Sequence, residues 1–121
     1  MHELSVAISL VEMACEKAEE LGNVEVEALH LRLGPLAGVV KEALLFSFEL
    51  AAEGTAIAGA RLEVQDIPLR VRCPTCNEER DVPPPPRLCC PVCETPTPEV
   101  ITGRDLELRA LEVRDGTAAH R

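Results

Sequence analysis

The chain has 121 residues, which suits one ordinary domain or a small domain carrying a metal-stapled insert. Apolar residues make up 46%, enough for a packed core, but Trp and Tyr are absent and Phe occurs only twice, so that core is aliphatic. A formal net charge of −9 with almost no aromatics speaks against nucleic acid as a partner, because such readers use basic patches and stacking rings.

Residues 4–21 are predicted to form an amphipathic helix. Leu4, Ala7, Ile8, Val11, Ala14, Cys15, Ala18 and Leu21 recur at the three- and four-residue spacing of one face, and Glu12, Glu16, Lys17, Glu19 and Glu20 take the other. Gly22-Asn23 is a stop signal. Cys15, on the apolar stripe, is expected to be a packed thiol and not a ligand. Residues 24–33 alternate as a strand whose parity changes near Ala28-Leu29, as a bulge or a late start would cause. His30 falls opposite the leucines and is expected at the surface or an edge. Gly34-Pro35 ends the strand.

A second helix is predicted over 39–53, apolar almost all round, with Ala43, Leu44, Phe46, Leu50 and Ala51 buried and Gly54 as its stop. A second strand covers 61–67, with Leu62 and Val64 inward. A third covers 105–114, with another parity change between Leu108 and Leu111. The tail from Gly116, with His120, is expected to be frayed and idle.

Between the second and third strands the composition changes sharply. Residues 68–104 hold five of the six cysteines and all but one of the ten prolines, including Pro83-Pro84-Pro85-Pro86. No helical or alternating core pattern is evident there, so metal is the expected source of stability. Charge divides the same way: residues 1–66 carry a balance of −8 and residues 67–104 are neutral. The predicted architecture is α+β, a small sheet covered by two helices, with an inserted zinc-ribbon-like domain built on four cysteines. Residues 1–67 and 105–121 would form the first domain and 68–104 the second.

No basic n-region opens the chain, Glu12 interrupts its first apolar run, and no segment approaches the ~20 apolar residues of a membrane span. A cytoplasmic protein with no membrane partner is expected. Cysteines in a reducing compartment read as metal ligands more than as disulfides. Cys73-Pro-Thr-Cys76 and Cys90-Pro-Val-Cys93 are two Cys-x-x-Cys knuckles separated by thirteen residues, a spacing that places four thiolates around Zn(2+). Cys89 could in principle replace Cys90, but Cys90 gives the symmetrical pair. Four thiolates close the shell, so the ion is expected to be structural and not catalytic. No Ser-His-Asp set, phosphate loop or open metal site is evident, which speaks against an enzyme.

The start Met1-His2-Glu3 offers a free α-amine, an amide nitrogen and an imidazole in adjacent chelate rings, a nitrogen-rich set that suits Ni(II) or Cu(II). On these residues alone, His2 reads as an idle terminal histidine more readily than as a ligand, and Glu3 as an acid at a helix N-terminus.

Met-His-Glu-Leu-Ser at the start, a helix, a strand ending Leu-Arg-Leu-Gly and two knuckles at this spacing together resemble the HypA/HybF family, which incorporates nickel during [NiFe] hydrogenase maturation. The resemblance covers residues 1–114. It implies a nickel metallochaperone with cargo Ni(2+) on His2, supported by Met1 and Glu3, and structural Zn(2+) on Cys73, Cys76, Cys90 and Cys93. It also implies a HypB-type GTPase and the [NiFe] hydrogenase large subunit as partners. A homodimer is compatible with the sequence, which leaves the oligomeric state and any service to urease open. No histidine lies within 68–104, so this chain departs from relatives whose knuckles carry flanking histidines, and a nickel ligand from the insert is not expected. A zinc-ribbon interaction module without nickel delivery is the competing reading.

Overall fold

The computed structural model describes residues 3–114 and 116–119, the last four by their backbone alone. The chain runs α1 (Glu3–Glu20), β1 (Val26–Leu33), α2 (Lys41–Ala52), β2 (Arg61–Asp66), β3 (Leu69–Cys73), β4 (Glu78–Val82), β5 (Val100–Thr102), β6 (Leu106–Val113) and β7 (Gly116–Ala119). The class is α+β, as expected: two helices, a four-stranded sheet of order β2-β1-β6-β7 and a three-stranded sheet of order β4-β3-β5. Two compact units result. One takes the chain up to Leu31, Val39–Gln65 and the chain from Glu107; the other takes Arg32–Gly38 and Asp66–Leu106, so the end of β1 and the loop after it join the cysteine-rich segment.

In the first unit α1 buries Ala7, Leu10, Val11, Ala14 and Ala18. The buried stripe is rotated from the predicted one. Leu4 is 47% exposed and Ile8 45%, Cys15 is only half-buried, and Leu10 takes the inward place. Apolar residues cover so wide an arc of this helix that period alone does not fix its phase. Gly22 (φ 92) and Asn23 (φ 59) are both left-handed, and the Val24 N–H returns to the Ala18 carbonyl (3.3 Å), which closes the helix where expected.

The same phase error occurs in α2, which packs on α1. Its inward stripe is Leu44, Phe48 and Ala52, whereas Phe46 is 64% exposed and Leu50 52%. The N-cap of α2 is Val40, which has no side chain to cap with. The β1 strand starts late, at Val26, and buries the adjacent Ala28 and Leu29, consistent with the parity change. Leu108 and Leu111 of β6 are both buried in the same way. Leu62 and Val64 on the edge strand β2 are half-buried. The tail is not without structure: β7 pairs antiparallel with β6, from Val113↔Gly116 to Ala110↔Ala119. His120 lies outside the described residues.

His30 is not on an edge, because β1 lies between β2 and β6. Half-buried, its Nε2 lies 3.2 Å from Glu112 Oε1 on β6, while Arg61 Nη2 of β2 donates to Glu112 Oε2 at 3.3 Å. One carboxylate thus ties three neighbouring strands. The His30 hydrogen bond first, and then Arg61, holds the Glu112 carboxyl below its usual range against the opposing effect of burial. A depressed native value stabilises the fold above the unfolded carboxyl value and is lost as pH falls through the native one. Melting temperatures measured between about pH 6 and pH 3 are therefore expected to fall less steeply in Glu112→Gln than in the wild type. Parallel curves would show that the link contributes nothing.

The second unit contains strands that the sequence reading missed. Leu69-Arg70-Val71-Arg72-Cys73 alternates buried and half-buried residues, so the segment does have a core pattern of its own. β3 pairs antiparallel with both neighbours, in register Leu69↔Val82, Val71↔Arg80 and Cys73↔Glu78 on the β4 side. Leu69, Val71 and Val82 form its buried core, with Leu36 and Val100 packed against them. Arg70 is held outside by Glu79 (2.9 Å) and Asp81 (2.8 Å) across the pair. The returning segment is bonded by Gly34 N–H to Asp105 O (2.9 Å) and Leu36 N–H to Gly103 O (2.8 Å). A Cβ on Gly34 would collide with the Gly103 carbonyl, and Gly103 itself has φ 107 and leaves a Cβ only 2.8 Å from Leu69 Cα. Gly34→Ala must push two backbones apart, so a loss of more than about 2 kcal/mol is expected in denaturant unfolding of the metal-loaded chain. A change within about 0.5 kcal/mol would refute the close approach.

Candidate metal centre

Each knuckle is a tight turn built twice from the same parts. Cys73 ends β3 and Cys90 follows an isolated β-bridge between Cys89 and Pro96. Proline follows each first cysteine and presets φ for the turn. The Asn77 N–H returns to the Cys73 carbonyl at 2.8 Å and the Glu94 N–H to the Cys90 carbonyl at 2.9 Å. Asn77 (φ 58) and Glu94 (φ 62) then leave in the left-handed region. The turn also aims backbone donors at sulfur: Cys76 N–H to Cys73 Sγ at 3.3 Å, and Val92 N–H to Cys90 Sγ at 3.4 Å.

The four Sγ atoms of Cys73, Cys76, Cys90 and Cys93 lie within 4.8 Å of one another. Cys93 Sγ is 3.5 Å from Cys73 Sγ and 3.6 Å from Cys76 Sγ. Sulfurs around a tetrahedral zinc with bonds of about 2.3 Å are about 3.8 Å apart, so the cage is close to the size a metal ion such as zinc requires. Cys73 and Cys90 are buried, Cys76 is half-buried and Cys93 is exposed. Cys89 is half-buried and stays out of the group; it lies opposite Pro96 in a bridge whose bonds run from the Cys90 N–H to the Thr95 carbonyl (2.8 Å) and from the Thr97 N–H to the Leu88 carbonyl (3.0 Å).

Two threonines that the spacing argument overlooked link the knuckles. Thr95 Oγ1 lies 3.1 Å from both Cys93 Sγ and Thr75 Oγ1. The Thr95 hydroxyl, and then its backbone N–H, pull the Cys93 thiol down to about 6. The Cys90 thiol is also lowered, mainly by the Cys93 backbone N–H. Cys76 goes the other way. Arg80 draws its thiol down, but hydrogen bonds with Cys93, Cys73 and Cys90, together with burial, outweigh this and push it up to about 11. A set that holds part of its protons until a cation arrives is what proton-coupled metal binding needs. The sequence signal for Thr95, a hydroxyl two places after a knuckle, is too common to stand out.

Of the N-terminal set, Met1 and His2 lie outside the described residues. Glu3 is the first residue of α1, and its Oε2 accepts the Val40 N–H at 3.1 Å, supplying the cap that α2 lacks. The carboxylate therefore joins the starts of both helices beside the terminus.

An α+β chain whose two proline-bearing knuckles gather four thiols is a small metal-binding protein. The family model described as "Hydrogenase/urease nickel incorporation, metallochaperone, hypA" matches residues 1–113, and the chain belongs to that family. Its members are metallochaperones and not catalysts. The chain is 51% identical to the hydrogenase maturation factor HypA of Chloroflexus aggregans, over 93% of this chain and 98% of that one. It is 48% identical to that of a Roseiflexus species, over 97% and 95%. Among solved structures, the Ni metallochaperone HypA from Helicobacter pylori shares the fold with a TM-score of 0.63 at 22% identity, covering 93% of this chain and 97% of that one. A second HypA solution structure gives 0.67 at 23%, covering 93% and 96%.

The geometry separates the adjacent cysteines. Cys90→Ser is expected to lose bound metal, measured by mass spectrometry under native conditions, whereas Cys89→Ser keeps one equivalent. The reverse result would move the ligand to Cys89.

Proposed function

We propose that this chain carries Ni(2+) at its N-terminus and delivers it to the [NiFe] hydrogenase large subunit, with a HypB-type GTPase as working partner in the cytoplasm. Membership of a nickel-incorporation family across residues 1–113 is the observation that carries this reading, because it includes the Met1-His2-Glu3 start. His2 is the principal ligand, with the Met1 amine and Glu3 completing or supporting the site. A nitrogen-rich set suits Ni(2+), and a site at a chain terminus lets the ion pass on with few contacts broken. Glu3 has a second duty as the acceptor for the Val40 N–H at the start of α2. The residues of the second metal centre are Cys73, Cys76, Cys90 and Cys93, holding Zn(2+). Four thiolates leave no coordination position for water or cargo, so zinc serves the fold of its unit. The imidazole must shed its proton to bind, so nickel uptake weakens on acidification.

Calorimetry on the untagged, zinc-loaded chain is expected to show one Ni(2+) per chain, with at least a tenfold weaker site in His2→Ala, about 1.4 kcal/mol or more. An N-terminal extension should weaken it too. Undiminished affinity in His2→Ala would leave the zinc-knuckle interaction module as the better reading.

A further inference from the structure

The donors around the four sulfurs are unevenly shared. Cys73 Sγ receives the Cys76 N–H, Cys90 Sγ receives the Val92 N–H, and Cys93 Sγ has the Thr95 hydroxyl at 3.1 Å. Among the described residues, the short contact of Cys76 Sγ is with the neighbouring thiol of Cys93, at 3.6 Å. That contact depends on a proton that metal binding removes. Once four thiolates surround a divalent ion, Cys76 holds negative charge with no backbone donor of its own, in a centre of net charge about −2.

The complementary gap is Arg80 Nε. It is fully buried and has no hydrogen-bond partner among the described residues. Arg80 lies on β4 opposite Val71, two residues from Glu78, which is opposite Cys73, and two from the buried Val82. The pleat therefore puts this cation on the same face as Cys73 and the core. Glu78 Oε2 holds its outer nitrogen, Nη2, at 2.8 Å. Its electrostatic neighbours are Cys76 first, then Glu78 and Cys90. A buried N–H without an acceptor is costly, and the first electrostatic neighbour of this guanidinium is the half-buried Cys76.

We infer that Arg80 Nε–H is the hydrogen-bond donor to the Cys76 thiolate in the metal-loaded centre, a positioning residue that offsets the charge of the four-thiolate set and slows loss of the ion. The inference rests on the reading of Cys73, Cys76, Cys90 and Cys93 as metal ligands. Glu78 holds the guanidinium at Nη2 and leaves Nε without a partner. Hydrogen bonds to thiolate reduce the electron density available for donation to the metal and lower ligand basicity, so their removal changes the spectrum of a coloured substitute ion as well as its retention.

The test uses the full chain loaded with Co(2+) for spectroscopy and with Zn(2+) for transfer to a chromogenic chelator. Arg80→Met places a carbon where Nε stood. Arg80→Gln places an uncharged N–H at the same distance along the side chain. Arg80→Met is expected to shift the thiolate-to-cobalt charge-transfer band to lower energy and to release zinc about tenfold faster than wild type, and Arg80→Gln to recover much of both. Wild-type band and rate in Arg80→Met, or equal shifts in the two variants, would overturn the inference. Should Arg80→Met take no metal, Arg80→Gln decides: binding with a near-wild-type band supports a donor at this position, and failure to bind refutes it. A wild-type chain that takes up neither ion overturns the ligand reading, and the inference with it. That result is distinct from a loaded wild type whose Arg80 variants match it.

Discussion

The cysteine-rich unit must draw four sulfurs together, and its own apolar core is too small to do so unaided. Three buried side chains, Leu69, Val71 and Val82, with Leu36 and Val100 at their margin, are far below what holds a domain of this size. Metal binding supplies the difference in small units of this kind, since a site absent from the unfolded chain returns its binding energy as folding energy. The surrounding structure can be understood as preparation for that event. The twin turns, with returns of 2.8 and 2.9 Å and left-handed exits at Asn77 and Glu94, hold the four sulfurs together. The close passage of Gly34 against Gly103 ties the segment after β1 to the same unit.

How much was legible follows from the range over which each feature is encoded. The ligand set was readable because a knuckle is complete within four residues and proline marks its turn. The choice between Cys89 and Cys90 was a symmetry argument in the sequence, and it is Cys90 Sγ that lies with the other three sulfurs. The β3 strand was missed although Leu69, Val71 and Cys73 alternate, because Pro68 and Pro74 flank a five-residue run and arginine occupies the outward places. Its partner β4 reads Glu-Glu-Arg-Asp-Val, a sequence with almost no apolar signal, and is held by its register to β3 and by Arg70 across the pair.

Helix existence was legible and helix phase was not. In α1 and α2 the apolar residues span more than one face, and the deciding factor is which stripe fits against its neighbour. Alanines at 7, 14 and 18 allow close packing where Leu4 and Ile8 would not, and Phe48 replaces Phe46 as the buried ring. His30 is at the surface as expected, its side chain 39% exposed, but not on an edge strand. Alternation showed which face it takes, but not that a carboxylate on β6 would meet it there.

The two cysteines of each knuckle differ in a way that bears on how an ion is held. Cys73 and Cys90, the first of each pair, are buried, and Cys76 and Cys93, the second, reach solvent to different degrees. The first cysteine is anchored by the strand or bridge it ends, while the second sits where the turn reverses outward. Solvent, a chelator or an incoming ion therefore meets Cys93 and Cys76 before the other two. These outer sulfurs are the ones that lean on side chains, Thr95 (with its backbone N–H beside the hydroxyl) for one and Arg80 for the other, whereas the buried pair use backbone N–H groups that the turn itself provides. Backbone donors come with any knuckle of this shape. The stability of the outer half of the centre is thus set by residues outside the Cys-x-x-Cys motif, which is where chains with the same four cysteines can differ in how firmly they keep their metal.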